Sequence, residues 1–134
     1  MGDEIRVAIR TDADVVTARQ EARTMGADLG FSSTDLTLLA TAISEVARNI
    51  TTYAGEGEVR LRVVSARGRE GIEVVAADDG PGIANVELAM QDGYTTGNGL
   101  GLGLPGTRRL VDDFHLRTEP GVGTTIRLVK WSRA

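Results

Sequence analysis

The sequence predicts an α/β fold: a two-layer sandwich with a mixed, mainly antiparallel sheet and helices on one face. Three observations carry that expectation. Short segments that alternate between apolar and charged residues read as half-buried strands. Longer stretches place apolar residues three and four apart, which gives a helix one buried stripe. The order is strand, helix, helix, strand, strand, helix, strand, strand. Consecutive strands joined by tight turns favour antiparallel pairing, with the helices stacked on one side.

The first strand is Ile5 to Ile9, where Ile5, Val7 and Ile9 alternate with Arg6 and Ala8. Asp12 or Asp14 then caps a helix whose apolar side holds Val15, Val16, Ala18, Ala22, Met25 and Leu29, and Gly30 ends it. Thr34 to Ala54 reads as one helix with a stripe of Leu36, Leu39, Ala40, Ile43, Val46, Ala47 and Ile50. Ser33 or Thr34 can cap its start, and Gly55 follows its end. Val59, Leu61 and Val63 alternate with Arg60 and Arg62 in a second strand. Residues 66–71 turn the chain into a third strand, Ile72 to Ala77, so the pair reads as an antiparallel hairpin. Asp78-Asp79-Gly80-Pro81-Gly82-Ile83 breaks that strand abruptly. Val86 to Gln91 reads as a short helix, and Asp92 to Gly103 has almost no periodicity and five glycines. Pro105 fits the first turn of a last helix, Thr107 to Asp113. His115 to Thr118 and Thr124 to Lys130 form a closing hairpin. With no internal repeat, low-complexity tract or linker, residues 1–134 read as a single domain.

Bulk composition narrows the function. A 134-residue chain that is 41% hydrophobic and 25% charged can bury one real core. The absence of cysteine excludes disulfide staples, thiolate zinc sites and cysteine nucleophiles. No run approaches the ~18 apolar residues of a membrane span. Met1-Gly2-Asp3-Glu4 lacks the apolar core of a signal peptide, so the cytoplasm is the expected address. A net charge of −4 argues against a broad grip on nucleic acid. Lys130 is the only lysine and does not follow a glycine, which removes a Walker-type phosphate loop.

Four short segments carry the candidate chemistry. Glu45 and Asn49 stand four apart on the long helix, about 6 Å along its axis. Taken alone they could be solvated surface. Asp78-Asp79-Gly80-Pro81-Gly82 alone is more often a plain turn. Here it leaves an apolar strand, so Asp78 can face the interior, where an unpaired carboxylate is costly and a ligand donor such as the adenine amine resolves that cost. The glycines would let a flat ring lie against the backbone. Gly99-Leu100-Gly101-Leu102-Gly103-Leu104-Pro105-Gly106 precedes a helix, where backbone amides form a phosphate site. Its alternate leucines argue against a solvated loop. Gly101 to Gly106 also match G-x-G-x-x-G, but no strand runs directly into them, no opening strand-turn-helix unit surrounds them and no suitable acid lies ~20 residues on, so the dinucleotide reading is rejected. Gly121-Val122-Gly123-Thr124 alone reads as a hairpin turn. His115, the only histidine, reads as a structural or surface residue, and Arg108 and Arg109 as a solvated helix face.

Glu45-x-x-x-Asn49, Asp78-x-Gly80-x-Gly82, Gly99-x-Gly101-x-Gly103 and Gly121-x-Gly123-Thr124 occur in that order. The ordered set resembles the four ATP-binding boxes of the superfamily of gyrase, Hsp90, histidine kinases and MutL. The implied fold is the Bergerat ATP-binding sandwich, in agreement with the element order. Ser44-Glu45-Val46-Ala47-Arg48-Asn49-Ile50, Tyr53-Ala54-Gly55 and the run from Gly99 to Phe114 are similar to the RsbT-type switch serine kinases of bacterial stress signalling. That resemblance covers essentially the whole chain.

The resemblance implies an ATP- and Mg²⁺-dependent serine protein kinase. Its substrate would be a STAS-domain antagonist or scaffold protein in a stressosome-like complex. Once released, it would activate a downstream phosphatase. By resemblance, Asn49 holds Mg²⁺ and Glu45 takes the proton from the substrate serine. Asp78 accepts from the adenine amine, and Gly80 and Gly82 shape the adenine pocket. Gly99, Gly101 and Gly103 hold the phosphates, and Thr124 supports the adenine end. Asp79 stands where many superfamily members have Asn, and no role is assigned to it. The alternative on the same residues is an anti-sigma factor kinase that sequesters a sigma subunit.

Overall fold

The computed structural model describes residues 4–83, 90 and 103–133. Of the short helix expected from Val86 to Gln91, residues 86–89 and 91 lie outside the described residues, as do the glycine-rich residues 92–102.

Strand β1, Ile5–Ile9, leads into helix α1, Asp12–Asp28. Thr11 caps that helix, where Asp12 or Asp14 was expected. The Thr11 hydroxyl accepts from the Asp14 N–H at 3.4 Å, and the Asp14 carboxylate accepts from the Thr11 N–H at 3.0 Å. This reciprocal pair is a capping box, so Asp14 serves the cap from the third helical position. Helix α2 is Ser33–Asn49, and Ser32 caps it by accepting from the Asp35 N–H at 3.1 Å. Ser33 and Thr34, expected at the cap, are already helical. The helix expected to run unbroken to Ala54 changes at Ile50. Ile50–Ala54 winds as a wider π-helical turn, closed by the Gly55 N–H on the Ile50 carbonyl at 2.9 Å. Ile50, Thr51 and Thr52 are β-branched in succession, which weakens the regular α-helix there.

Strands β2, Gly57–Ala66, and β3, Arg69–Asp78, form a hairpin. Helix α3 is Gly103–Leu110, starting four residues earlier than expected, with Pro105 in its first turn. Strands β4, Asp113–Glu119, and β5, Gly123–Trp131, close the chain. The sheet order is β1-β2-β3-β5-β4, and every pairing among the described residues is antiparallel. The mixed, mainly antiparallel sheet of the sequence reading thus narrows to an antiparallel one.

Strand alternation sorts the sheet into two faces. Val7, Ile9, Val59, Leu61, Ile72, Val74, Ala76, Ile126 and Leu128 are buried and share one core with Leu39, Ile43, Val46 and Ile50. Helices α1 and α2 cover that face. Each fully buried Leu, Ile or Val contributes about 1.5–3 kcal/mol to folding. The opposite face is charged: Glu73 is held at 2.6 Å by both Arg62, directly across on β2, and Arg127, diagonally across on β5.

Candidate active site

Asp78 is the last residue of β3 and follows Ile72, Val74 and Ala76 on the helix-facing side. It pairs with Thr124 across the β3–β5 ladder. Its Oδ1 accepts from the Gly80 N–H at 2.9 Å, which turns the chain immediately after the strand. The side chain sits in a tight corner. A Cβ on Gly57 would lie 3.1 Å from the Asp78 Cβ and 2.9 Å from Ile50 Cγ2, and would collide with the Ala77 carbonyl.

The first glycine segment is locked on both sides. A Cβ on Gly80 would come within 2.5 Å of the Ala54 Cβ, so only glycine lets the π-helical turn close on this segment. Gly82 has φ +76°, and a Cβ there would lie 2.5 Å from the Glu119 carbonyl. The Gly121 N–H donates to the Pro81 carbonyl at 2.8 Å. The Ile83 N–H donates to Thr118 Oγ1 at 2.8 Å, and Thr118 Oγ1 lies 2.9 Å from Thr124 Oγ1 and donates to the Gly123 carbonyl at 3.2 Å. Asp78, Gly80, Gly82 and Thr124 therefore form one cluster, and the end of α2 closes on it through Ile50 and Ala54.

Asn49 is the last residue of α2, directly before that turn, and is partly buried. Glu45 lies one turn back. Its side chain is 14% exposed and pairs with Arg48 at 3.5 Å. Glu45 lines an open groove of about 490 Å³ between α1 and α2, with Arg19, Gln20 and Arg23 on one wall and Thr41, Ser44 and Arg48 on the other. The Ser44 hydroxyl donates to the Ala40 carbonyl at 2.9 Å. Gly103 opens α3 with φ +70°, and α3 packs on α2. Gly99 and Gly101 lie outside the described residues.

Thr118 was not anticipated as part of the site, although it ties the Ile83 N–H to the Gly123 carbonyl and to Thr124. Its only sequence signal is its position in β4, opposite Thr124, and that register is invisible without the β4–β5 pairing. His115 faces away from this cluster, since it follows Asp113 and precedes Arg117 on the other parity of β4. Among the described residues, no group of three or more His, Cys, Asp or Glu side chains could hold a metal by itself. A cation here would need a carboxamide such as Asn49 together with phosphate oxygens, a donor set that suits Mg²⁺.

A strand-end acid turned under by its own glycine, clamped between a helix end and a hairpin, defines a nucleotide-binding sandwich of the ATPase kind. The histidine kinase-like ATPase domain matches residues 9–130, and the chain belongs to that family. Within it the chain is a serine/threonine protein kinase of the RsbT type. It is 46% identical over 133 residues to Serine/threonine-protein kinase RsbT of Bacillus subtilis (strain 168), spanning 99% of this chain and 100% of that one. It is 30% identical over 120 residues to the Anti-sigma F factor of Caldanaerobacter subterraneus subsp. tengcongensis, spanning 85% of this chain and 82% of that one. The fold also matches the crystal structure of the RsbU and RsbW domains of Rv1364c from Mycobacterium tuberculosis, with a TM-score of 0.66 at 20% identity. That match spans all of this chain and 33% of the other. Membership of the ATPase family implies ATP binding.

Proposed function

We propose that residues 1–134 act as a single ATP-binding serine kinase domain, whose substrate is a STAS-domain protein within a stressosome-like complex in the cytoplasm. Once released from that complex, it would bind and activate a downstream phosphatase. The observation that carries the reading is the convergence of Asp78, Gly80, Gly82 and Thr124 on the end of α2, with Glu45 one turn back on an open groove. The purine would lie at Asp78, and the phosphates would run toward Asn49 and Gly103.

The residues suit that ligand. The Asp78 carboxylate can accept from an exocyclic amine, and Gly80 and Gly82 let the π-helical turn and the β4–β5 hairpin close around that acid. Asn49 would hold Mg²⁺, which neutralises charge on the phosphates when bound. A serine entering by the groove would meet Glu45. Its Oγ would form a bond to the γ-phosphorus while the bond from that phosphorus to the bridging β–γ oxygen breaks, and the hydroxyl proton would pass to Glu45. Arg48, 3.5 Å from Glu45, would hold that carboxylate in place.

The likeness to the Anti-sigma F factor supports a second reading, in which the main task is to sequester a sigma subunit. Both readings keep the kinase residues, so a pull-down with the purified protein decides between them: a STAS-domain protein as the main capture is the expected result, and a sigma subunit as the main capture would favour the second reading. Incubation with ATP, Mg²⁺ and a STAS-domain partner tests catalysis itself, with phosphoserine on the partner expected.

A further inference from the structure

Lys130, the only lysine of the chain, is buried on the helix-facing side of β5, where alternation with Ile126 and Leu128 calls for an apolar residue. Its side chain is 3% exposed. Its Nζ donates to the Leu110 carbonyl at 2.9 Å and lies 3.8 Å from Asp35 Oδ1. Leu110 is the last residue of α3, so its carbonyl belongs to the negative end of that helix. Asp35 lies in the first turn of α2, at its positive end, and also pairs with Arg133 at 3.5 Å. One buried ammonium therefore joins the end of α3 to the start of α2.

Stability alone does not account for it. A buried ion pair often gains nothing over apolar residues of similar volume, because desolvation offsets the attraction. What such a pair specifies is relative placement. Helix α3 needs that help: Gly103-Leu104-Pro105-Gly106 has poor intrinsic helix propensity, and the helix is only 8 residues long. Guanidinium, which supplies all the other basic side chains, is a broad fork that cannot replace a compact ammonium against a single carbonyl.

We propose that Lys130 is a positioning residue for phosphate binding: by fixing Leu110 against α2, it sets where Gly103 stands relative to Asn49 and Glu45. This rests on the nucleotide reading above. Gly103 lies about 10 Å from Leu110 along the helix, so a swing of about 10° at that anchor moves it about 2 Å. The purine end is independent of α3, because Asp78 and Thr124 belong to β3 and β5.

The test is calorimetry of Lys130→Met with ATP and with adenosine, both in Mg²⁺ buffer, alongside wild type. The expected result is ATP weakened by about tenfold or more and adenosine changed by less than about twofold. An equal loss for both ligands, or no loss for either, overturns the proposal. If Lys130→Met does not fold, the paired variant Asp35→Asn with Lys130→Met leaves no lone buried charge and is read in the same way. Wild type that binds no ATP would overturn the nucleotide reading and this inference with it; wild type that binds ATP equally well as the variant overturns only the inference.

Discussion

Asp78 and Glu45 are both acids, and the different roles proposed for them follow from different surroundings. Asp78 is half-buried in a corner of glycine and apolar atoms, with one oxygen already engaged by the Gly80 N–H. Asp78→Asn replaces an acceptor with a group that presents donors to the purine amine. Binding of ATP is expected to weaken by about 3 kcal/mol, enough to remove the calorimetric signal at ordinary concentrations; unchanged affinity would exclude Asp78 from the site. Glu45 lines the groove instead. Glu45→Ala is expected to keep ATP affinity and to slow phosphoryl transfer by about 10²–10⁴, measured as phosphoserine formed per minute. A normal rate would show that the proton goes elsewhere. Both acids stood out in the sequence as candidates because each belongs to a short motif in an ordered set. Thr118 and Lys130 did not. A threonine in a strand and a lysine near a terminus carry no local signature, and their roles depend on partners at residues 83 and 124, and at residues 35 and 110.

At the scale of elements, periodicity located all five described strands and the three described helices, but their ends were set by contacts it does not record. The Thr11 cap depends on Asp14 reaching back, and α3 begins at Gly103 because a helix can start before its first good helix former when tertiary anchors hold it. The break at Ile50 matters most. The π-helical turn carries Ala54 onto Gly80. The sheet's open face offers a separate test. Burial by itself would raise the Glu73 pKa; hydrogen bonds and charge from Arg62 and Arg127 outweigh it and hold the carboxyl below its ordinary value of 4.5. The stabilisation is therefore present above that value and is lost as pH falls through the lower folded-state value. Wild type should melt above Glu73→Gln near neutral pH, and the gap should narrow as pH falls below 4.5. A gap that stays constant on acidification would show that ionisation of Glu73 does not support the sheet.

Over the whole molecule, one antiparallel sheet performs two tasks. Its apolar face carries α1 and α2, and the end of that face brings Asp78 beside Thr124 by register alone. Segments that are distant in sequence meet because β3 and β5 are neighbours, while α2 lies across them and delivers Asn49 and Glu45. The order of those segments was readable from the chain; their meeting required the β3–β5 pairing and the turn at Ile50. A crystal structure of the protein with Mg²⁺ and a non-hydrolysable ATP analogue tests this directly. The account predicts the purine amine on Asp78, the metal on Asn49 and the Glu45 carboxylate facing the groove beside the γ-phosphate. A nucleotide bound elsewhere, or a γ-phosphate turned away from Glu45, would contradict it.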